Sequence, residues 1–195
     1  QYAPPYMPKF LHMSDYDIHS IIAWLRSDDP RLQVQGVPDT ACEPNFLAKF
    51  LCFVAFKPLP FPEKPISTPD SSDKVNFGKY LVQGRYECWA CHSQSFETMN
   101  ILEPEKTPGF LAGGNPIPDM EGKIVHSANL TPDAATGIGN YSEEGFINCL
   151  KYGRRQDNTS NKYPMLPYTH ITDYEASSIF AYLKSLPAVS NKISR

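Results

Sequence analysis

The pentapeptide Cys88-Trp-Ala-Cys91-His92 constrains this chain more than any other feature. Two thiols at this spacing can add to the two neighbouring vinyl groups of one haem, while the histidine that follows turns beneath the iron. A chain fixed to a planar macrocycle at both cysteines must fold around it. Attachment also sets the ring's rotation and height, so His92 can serve as a proximal ligand without capturing the cofactor anew at each encounter. Two other uses of Cys-x-x-Cys lack their companions here. A zinc site wants a second close pair, but Cys42 and Cys52 stand ten apart and Cys149 is alone. A thioredoxin-like pair wants an alternating strand before it and a helix opening at its first cysteine. Here the helix-like run Phe77-Gly-Lys-Tyr-Leu-Val82 precedes the motif instead.

A haem that only passes electrons usually closes its sixth position with a thioether or an imidazole. The candidates are Met99, Met120, His126, His170 and Met165. Met165 stands above the rest because Pro164 and Pro167 stiffen its loop just before the last helical segment. Elsewhere a methionine reads first as core filler.

The rest of the chain is organised by its 19 prolines, which are unevenly spread. Pro30, Pro38, Pro44, Pro58, Pro60, Pro62, Pro65 and Pro69 mark residues 28–73 as a connector, with an aromatic run from Phe46 to Phe56 expected to pack at a junction between modules. Helical patterning predicts Ser14 to Arg26 before it, then Val75 to Tyr86, Ser142 to Tyr152 and Thr172 to Leu186 after it. Thr172-Asp-Tyr-Glu175 reads as a capping box. Ile179, Tyr182, Leu183 and Leu186 form one stripe that needs a partner, and Gly78 on the helix before the motif permits close approach. Ser142 with Glu143 and Glu144 starts a helix that Gly153 is placed to end, and Cys149 within it reads as a small buried apolar side chain. The fold class is all-α. A net charge of −3 gives nucleic-acid binding no electrostatic support, and no apolar run is long enough to span a membrane. The chain opens at Gln1 without an initiator Met, so either a leader was removed or the true N-terminus lies upstream.

From Val75 to Pro187 the chain resembles the c-type cytochromes that accept electrons in bacterial membrane dehydrogenases and respiratory complexes. The resemblance is carried by Gly78-Lys-Tyr-Leu-Val82, Gly113-Gly-Asn-Pro-Ile117, Asn129-Leu-Thr-Pro-Asp133, Thr136-Gly-Ile-Gly139, Tyr141-Ser-Glu-Glu144, Tyr152-Gly-Arg154, Met165-Leu-Pro167 and the closing Ile179 to Pro187. It implies the small cytochrome c fold over residues 74–187 with a tail at 188–195, one haem c, axial ligation by His92 and Met165, and single-electron transfer in the periplasm or at the outer membrane face. It also implies that Leu130 packs near the haem and that Tyr141 and Arg154 lie toward the propionates, Tyr141 standing where the family often has Trp. The partners it implies are a membrane dehydrogenase, a quinol-oxidising complex or a terminal oxidase. Such a chain is an electron carrier and not itself an enzyme. A two-haem peroxidase or a haem-based sensor is the alternative, and would need an openable iron.

The chain also resembles itself. Tyr6 to Ser27 runs in register with Pro164 to Ser185, setting Met7 on Met165, His12 on His170 and Trp24 on Tyr182. Residues 1–27 therefore read as the closing part of another cytochrome-like module, with Met7 a ligand of a second haem attached on polypeptide upstream of this sequence. A complementary cytochrome fragment is expected to cover the apolar residues Ile18, Ile21, Ile22, Trp24 and Leu25. Cys42 and Cys52 are a candidate disulfide.

Overall fold

The computed structural model describes residues 10–33, 36, 43–55, 59–60 and 62–193. It divides into two compact units, Gln1–Ser67 and Thr68–Arg195. Met7 and Cys42, and with them the expected ligand of a second haem and the candidate Cys42–Cys52 disulfide, lie outside the described residues, as does Phe56.

The first unit holds helix α1, Asp15–Leu25, and helix α2, Phe46–Val54. Ser14 caps α1 by accepting from Asp17 N–H, and Asn45 caps α2 by accepting from Ala48 N–H. A proline-rich composition thus hides a helix: Phe46 to Val54 contains no proline, and Asn45 supplies the start signal. Neither helix has a buried residue.

The second unit is built on four helices: α3 (Lys74–Tyr80), the single turn α4 (Cys88–Cys91), α5 (Glu143–Tyr152) and α6 (Asp173–Ser185). One short hairpin, β1 (Pro116–Pro118) against β2 (Ile124–His126), is antiparallel with Ile117 opposite Val125. Helix α3 continues into a wider turn over Leu81–Arg85, closed by Tyr86 N–H to Leu81 O at 2.9 Å. The expected caps are present. Thr172 and Glu175 form the reciprocal capping box of α6, Ser142 accepts from Gly145 N–H, and Gly153 ends α5 at φ +70°. Cys149 departs from expectation: it is half-buried, and its thiol donates to Asn161 Oδ1 at 3.4 Å, because the loop after α5 folds back to Asn161.

The predicted stripe packs on α3. Ile179, Tyr182 and Leu183 are buried with Phe77, Leu81 and Val82, and burying each such side chain is worth about 1.5–3 kcal/mol. Gly78 allows the approach: a Cβ there would lie 1.9 Å from Ser178 O. Arg85 locks the far end of the pair through a 2.6 Å ion pair with Glu175. This contact fixes where the chain emerges from α3, and hence where Cys88 begins.

The internal repeat extends from sequence into structure. Ser20 Oγ donates to Tyr16 O at 2.7 Å, and its counterpart Ser178 Oγ donates to Tyr174 O at 2.8 Å. Ser27 and Ser185 likewise donate to Trp24 O and Tyr182 O, each at 2.7 Å. Met13 N–H to Phe10 O repeats as Ile171 N–H to Tyr168 O. The surroundings differ. Ile179, Tyr182 and Leu183 are buried, whereas Ile21, Trp24 and Leu25 are exposed.

Candidate functional site

Glu87 turns the chain out of the wide turn at φ +46°, and α4 then carries Cys88 and Cys91 on one helical turn. The expectation that no helix opens at the first cysteine is corrected here, since α4 starts at Cys88; the segment before it, however, is helical rather than a strand. Trp89 anchors the turn from inside, donating from Nε1 to Gln83 O at 3.2 Å while almost fully buried. Ser93 donates to Trp89 O at 2.6 Å and accepts from Leu111 N–H at 3.3 Å, stitching the turn to the loop that follows.

Burial pushes the Cys88 thiol up to about 12, and it raises Cys91 as well. By solvent exposure Cys88 is half-buried and Cys91 is exposed. Burial also raises Glu87, to about 7. Among the described residues, no three His, Cys, Asp or Glu side chains gather as a metal-binding group.

His92 is buried, and its Nδ1 lies 2.8 Å from Ala128 O. A carbonyl only accepts, so Nδ1 carries the hydrogen and the neutral ring keeps its lone pair on Nε2. That is the tautomer an iron-ligating histidine requires. Gly113 N–H donates to His92 O at 2.8 Å. Gly113 has φ +74°, and a Cβ there would lie 2.6 Å from Ala128 O, so glycine is needed for the segments around Gly113 and Ala128 to meet. Two thiols on one helical turn and a histidine already fixed in this tautomer form a donor set that fits a covalently held haem.

The other expected site residues divide. Cys88, Leu130, Tyr141 and Met165 all pack against the same core. Arg154 is exposed, bridged to Ser160 and close to Asn158 Oδ1 at 3.5 Å. His126 and His170 are exposed, as is Met120. The Met165 loop is tied down by Met165 N–H to Lys162 O at 3.0 Å and Tyr168 N–H to Leu150 O at 2.9 Å. It runs beside the cysteine turn. Tyr168 stands edge-on to Tyr86 with centroids 5.5 Å apart, and burial, with the nearby Cys88 and Cys91 adding to it, pushes its hydroxyl up to about 12. Sequence reasoning missed Tyr86, Tyr168 and Ala128. Only Tyr168 carried a signal, its place three residues after Met165.

No family model matches the chain. It is 33% identical over 125 residues to the fructose dehydrogenase cytochrome subunit of Gluconobacter japonicus, covering 63% of this chain and 23% of that protein. It is 28% identical over 197 residues to the alcohol dehydrogenase (quinone) cytochrome c subunit of Gluconobacter oxydans, a match covering 96% of this chain and 39% of the relative. The gluconate 2-dehydrogenase cytochrome c subunit of Pantoea cypripedii is 33% identical over 111 residues, covering 55% of this chain and 22% of the relative. The chain thus spans between about a fifth and two fifths of the length of these relatives. Its homologues are cytochrome c subunits of dehydrogenases.

Proposed function

We propose that the chain carries single electrons on one covalently bound, six-coordinate haem c and relays them from a dehydrogenase to an acceptor on the outer side of the membrane. Cys88 and Cys91 form the thioether links, and His92 and Met165 are the axial ligands. Leu130 packs near the ring, and Tyr141 and Arg154 lie toward the propionates. The observation that carries this reading is the Nδ1 contact of His92 with Ala128 O at 2.8 Å, at the end of the helical turn that carries Cys88 and Cys91.

When bound, the haem supplies a one-electron couple. The protein's own contribution is positional. The Ala128 carbonyl fixes the imidazole's tautomer and makes it a better donor. Leu111, buried and hydrogen-bonded to Ser93, and the edge-on pair Tyr86 and Tyr168 support the attachment turn from the protein side. The Met165 loop is anchored to α5 through Tyr168 and Leu150, so a ligand on it is held without a helix of its own.

The dehydrogenase partner rests on the relatives' kind. The quinol-oxidising complex and the terminal oxidase expected from the resemblance have no counterpart among the relatives named above. Among the described residues, no helix is long and apolar enough to cross a membrane. For the first unit we propose that residues 1–27 close a second cytochrome-like module, with Met7 a candidate ligand of its haem, supported by the matching serine hydrogen bonds found within α1 and within α6. The haem-to-protein ratio of the native polypeptide tests this; a single haem would contradict it. The oxidised spectrum tests the main reading. A thioether-to-iron charge-transfer band is expected, and high-spin iron would contradict Met165 ligation.

A further inference from the structure

The chain after α6 returns across the two loop segments that hold His92. Gly114 N–H donates to Ser127 O at 3.0 Å and Leu130 N–H to Leu111 O at 2.8 Å, joining residues 111–114 and 127–130 into one brace. Each side of the brace holds His92 once, through Gly113 N–H and through Ala128 O. The tail grips both sides. Asn129, buried to 1% exposure, donates from Nδ2 to Val189 O at 2.8 Å and to Thr136 Oγ1 at 3.1 Å. Its Oδ1 accepts from Thr131 N–H at 2.9 Å and from the Thr131 hydroxyl at 2.7 Å. Val189 N–H donates back to Thr131 Oγ1 at 3.1 Å. On the other side, Asn191 Nδ2 donates to Ala112 O at 3.0 Å and to Gly113 O at 3.3 Å, and its N–H donates to Thr136 Oγ1 at 3.0 Å.

This arrangement is more than a sealed chain end. Gly113, which Asn191 contacts directly, and Ala128, which Asn129 follows directly in the chain, are the two residues that hold His92. A polar residue this deeply buried is kept only where its hydrogen bonds are satisfied, and here the partner on one side is the tail backbone. We propose that the tail around Val189–Asn191 is a strap, and that Asn129 and Asn191 are positioning residues that act through Ala128 and Gly113 to hold the His92 imidazole. The proposal rests on the reading of His92 as an axial ligand. A firm Nδ1–H to carbonyl bond makes the ring a stronger donor and favours the oxidised iron. Loosening the strap weakens that bond and favours reduction.

The test uses the full chain carrying its haem, with Asn129→Ala, Asn191→Ala, Thr131→Val and Thr131→Ser. Redox titration is expected to show the equilibrium constant for reduction rising about threefold to tenfold in the two Asn variants and in Thr131→Val, below the effect of losing a direct outer-shell partner. The His92 Nδ1–H, followed by NMR, should exchange faster with solvent in the same variants. Thr131→Ser keeps the hydroxyl and should match the parent in both measurements. Asn191 is half-exposed, so Asn191→Ala decides alone if Asn129→Ala does not fold. Unchanged titration and exchange in a haem-bearing Asn191→Ala protein would overturn the strap while leaving axial ligation intact. A parent chain without covalent haem would overturn axial ligation and the strap together.

Discussion

Replacing Gly78 with alanine tests the contact that aims the attachment turn. The new Cβ would lie 1.9 Å from Ser178 O, 2.5 Å from Ser178 C and 2.9 Å from Tyr182 Cβ, where ordinary contact begins near 3.4 Å. Two of these three atoms are backbone, so no side-chain rotation relieves the overlap. Helices α3 and α6 must part by about 1.5 Å, which forfeits roughly half or more of the dispersion energy along the seam formed by Leu81, Ile179 and Leu183. Overpacking costs about 1–3 kcal/mol, lost contact adds a similar amount, and better helix propensity returns about 1 kcal/mol. The expected net loss is about 1–5 kcal/mol, or a melting temperature lower by about 4–20 °C for a unit of this size. Thermal unfolding of the haem-bearing protein by circular dichroism is the assay. Gly145→Ala serves as the control, because the atoms it would meet belong to the exposed side chain of Gln156, which can swing aside. A Gly78→Ala protein that melts within about 2 °C of the parent would refute the close backbone packing of α3 on α6.

Three further outcomes follow from the site. Met165→Ala is expected to open the iron to carbon monoxide and to lower the potential, since thioether ligation favours the ferrous state; an unchanged spectrum would move the sixth ligand elsewhere. Glu87, raised from 4.5 to about 7 by burial, binds its proton more tightly folded than unfolded, so its stabilising contribution is complete below 4.5 and is lost as pH rises through 7. Denaturant titrations at several pH values should show Glu87→Gln flattening that decline by on the order of 1–2 kcal/mol after allowance for solvent screening. Gly113→Ala would place a Cβ 2.5 Å from Ala128 C in a left-handed backbone. It should destabilise the chain by about 2–4 kcal/mol in urea unfolding and perturb the His92 ring resonances, whereas Gly122→Ala, which meets nothing within 4 Å, should leave those resonances in place.

Much of this arrangement is legible in local chemistry. The caps at Ser14, Ser142 and Thr172 and the stop at Gly153 are single-residue signals, and each stands where its helix begins or ends. The stripe on α6 and the need for Gly78 follow from helical spacing. What could not be read depends on contacts distant in sequence. His92 meets Ala128 across 36 residues, and Asn129 meets Val189 across 60, so no window around the motif contains either partner. Helix α2 escaped because prolines on both sides dominate the composition of its surroundings. The start of α4 at Cys88 escaped because a single turn carries no periodicity.

The central claim is that Cys88 and Cys91 hold a haem covalently and that His92 ligates its iron. The most direct measurement is the intact mass of the denatured protein, taken for the parent and for Cys88→Ser with Cys91→Ser. The parent is expected to carry the mass of one haem that acid acetone does not extract, and the double variant is expected to lose it. A parent at the mass of the bare polypeptide, or a haem that remains bound when both cysteines are replaced, would contradict the claim.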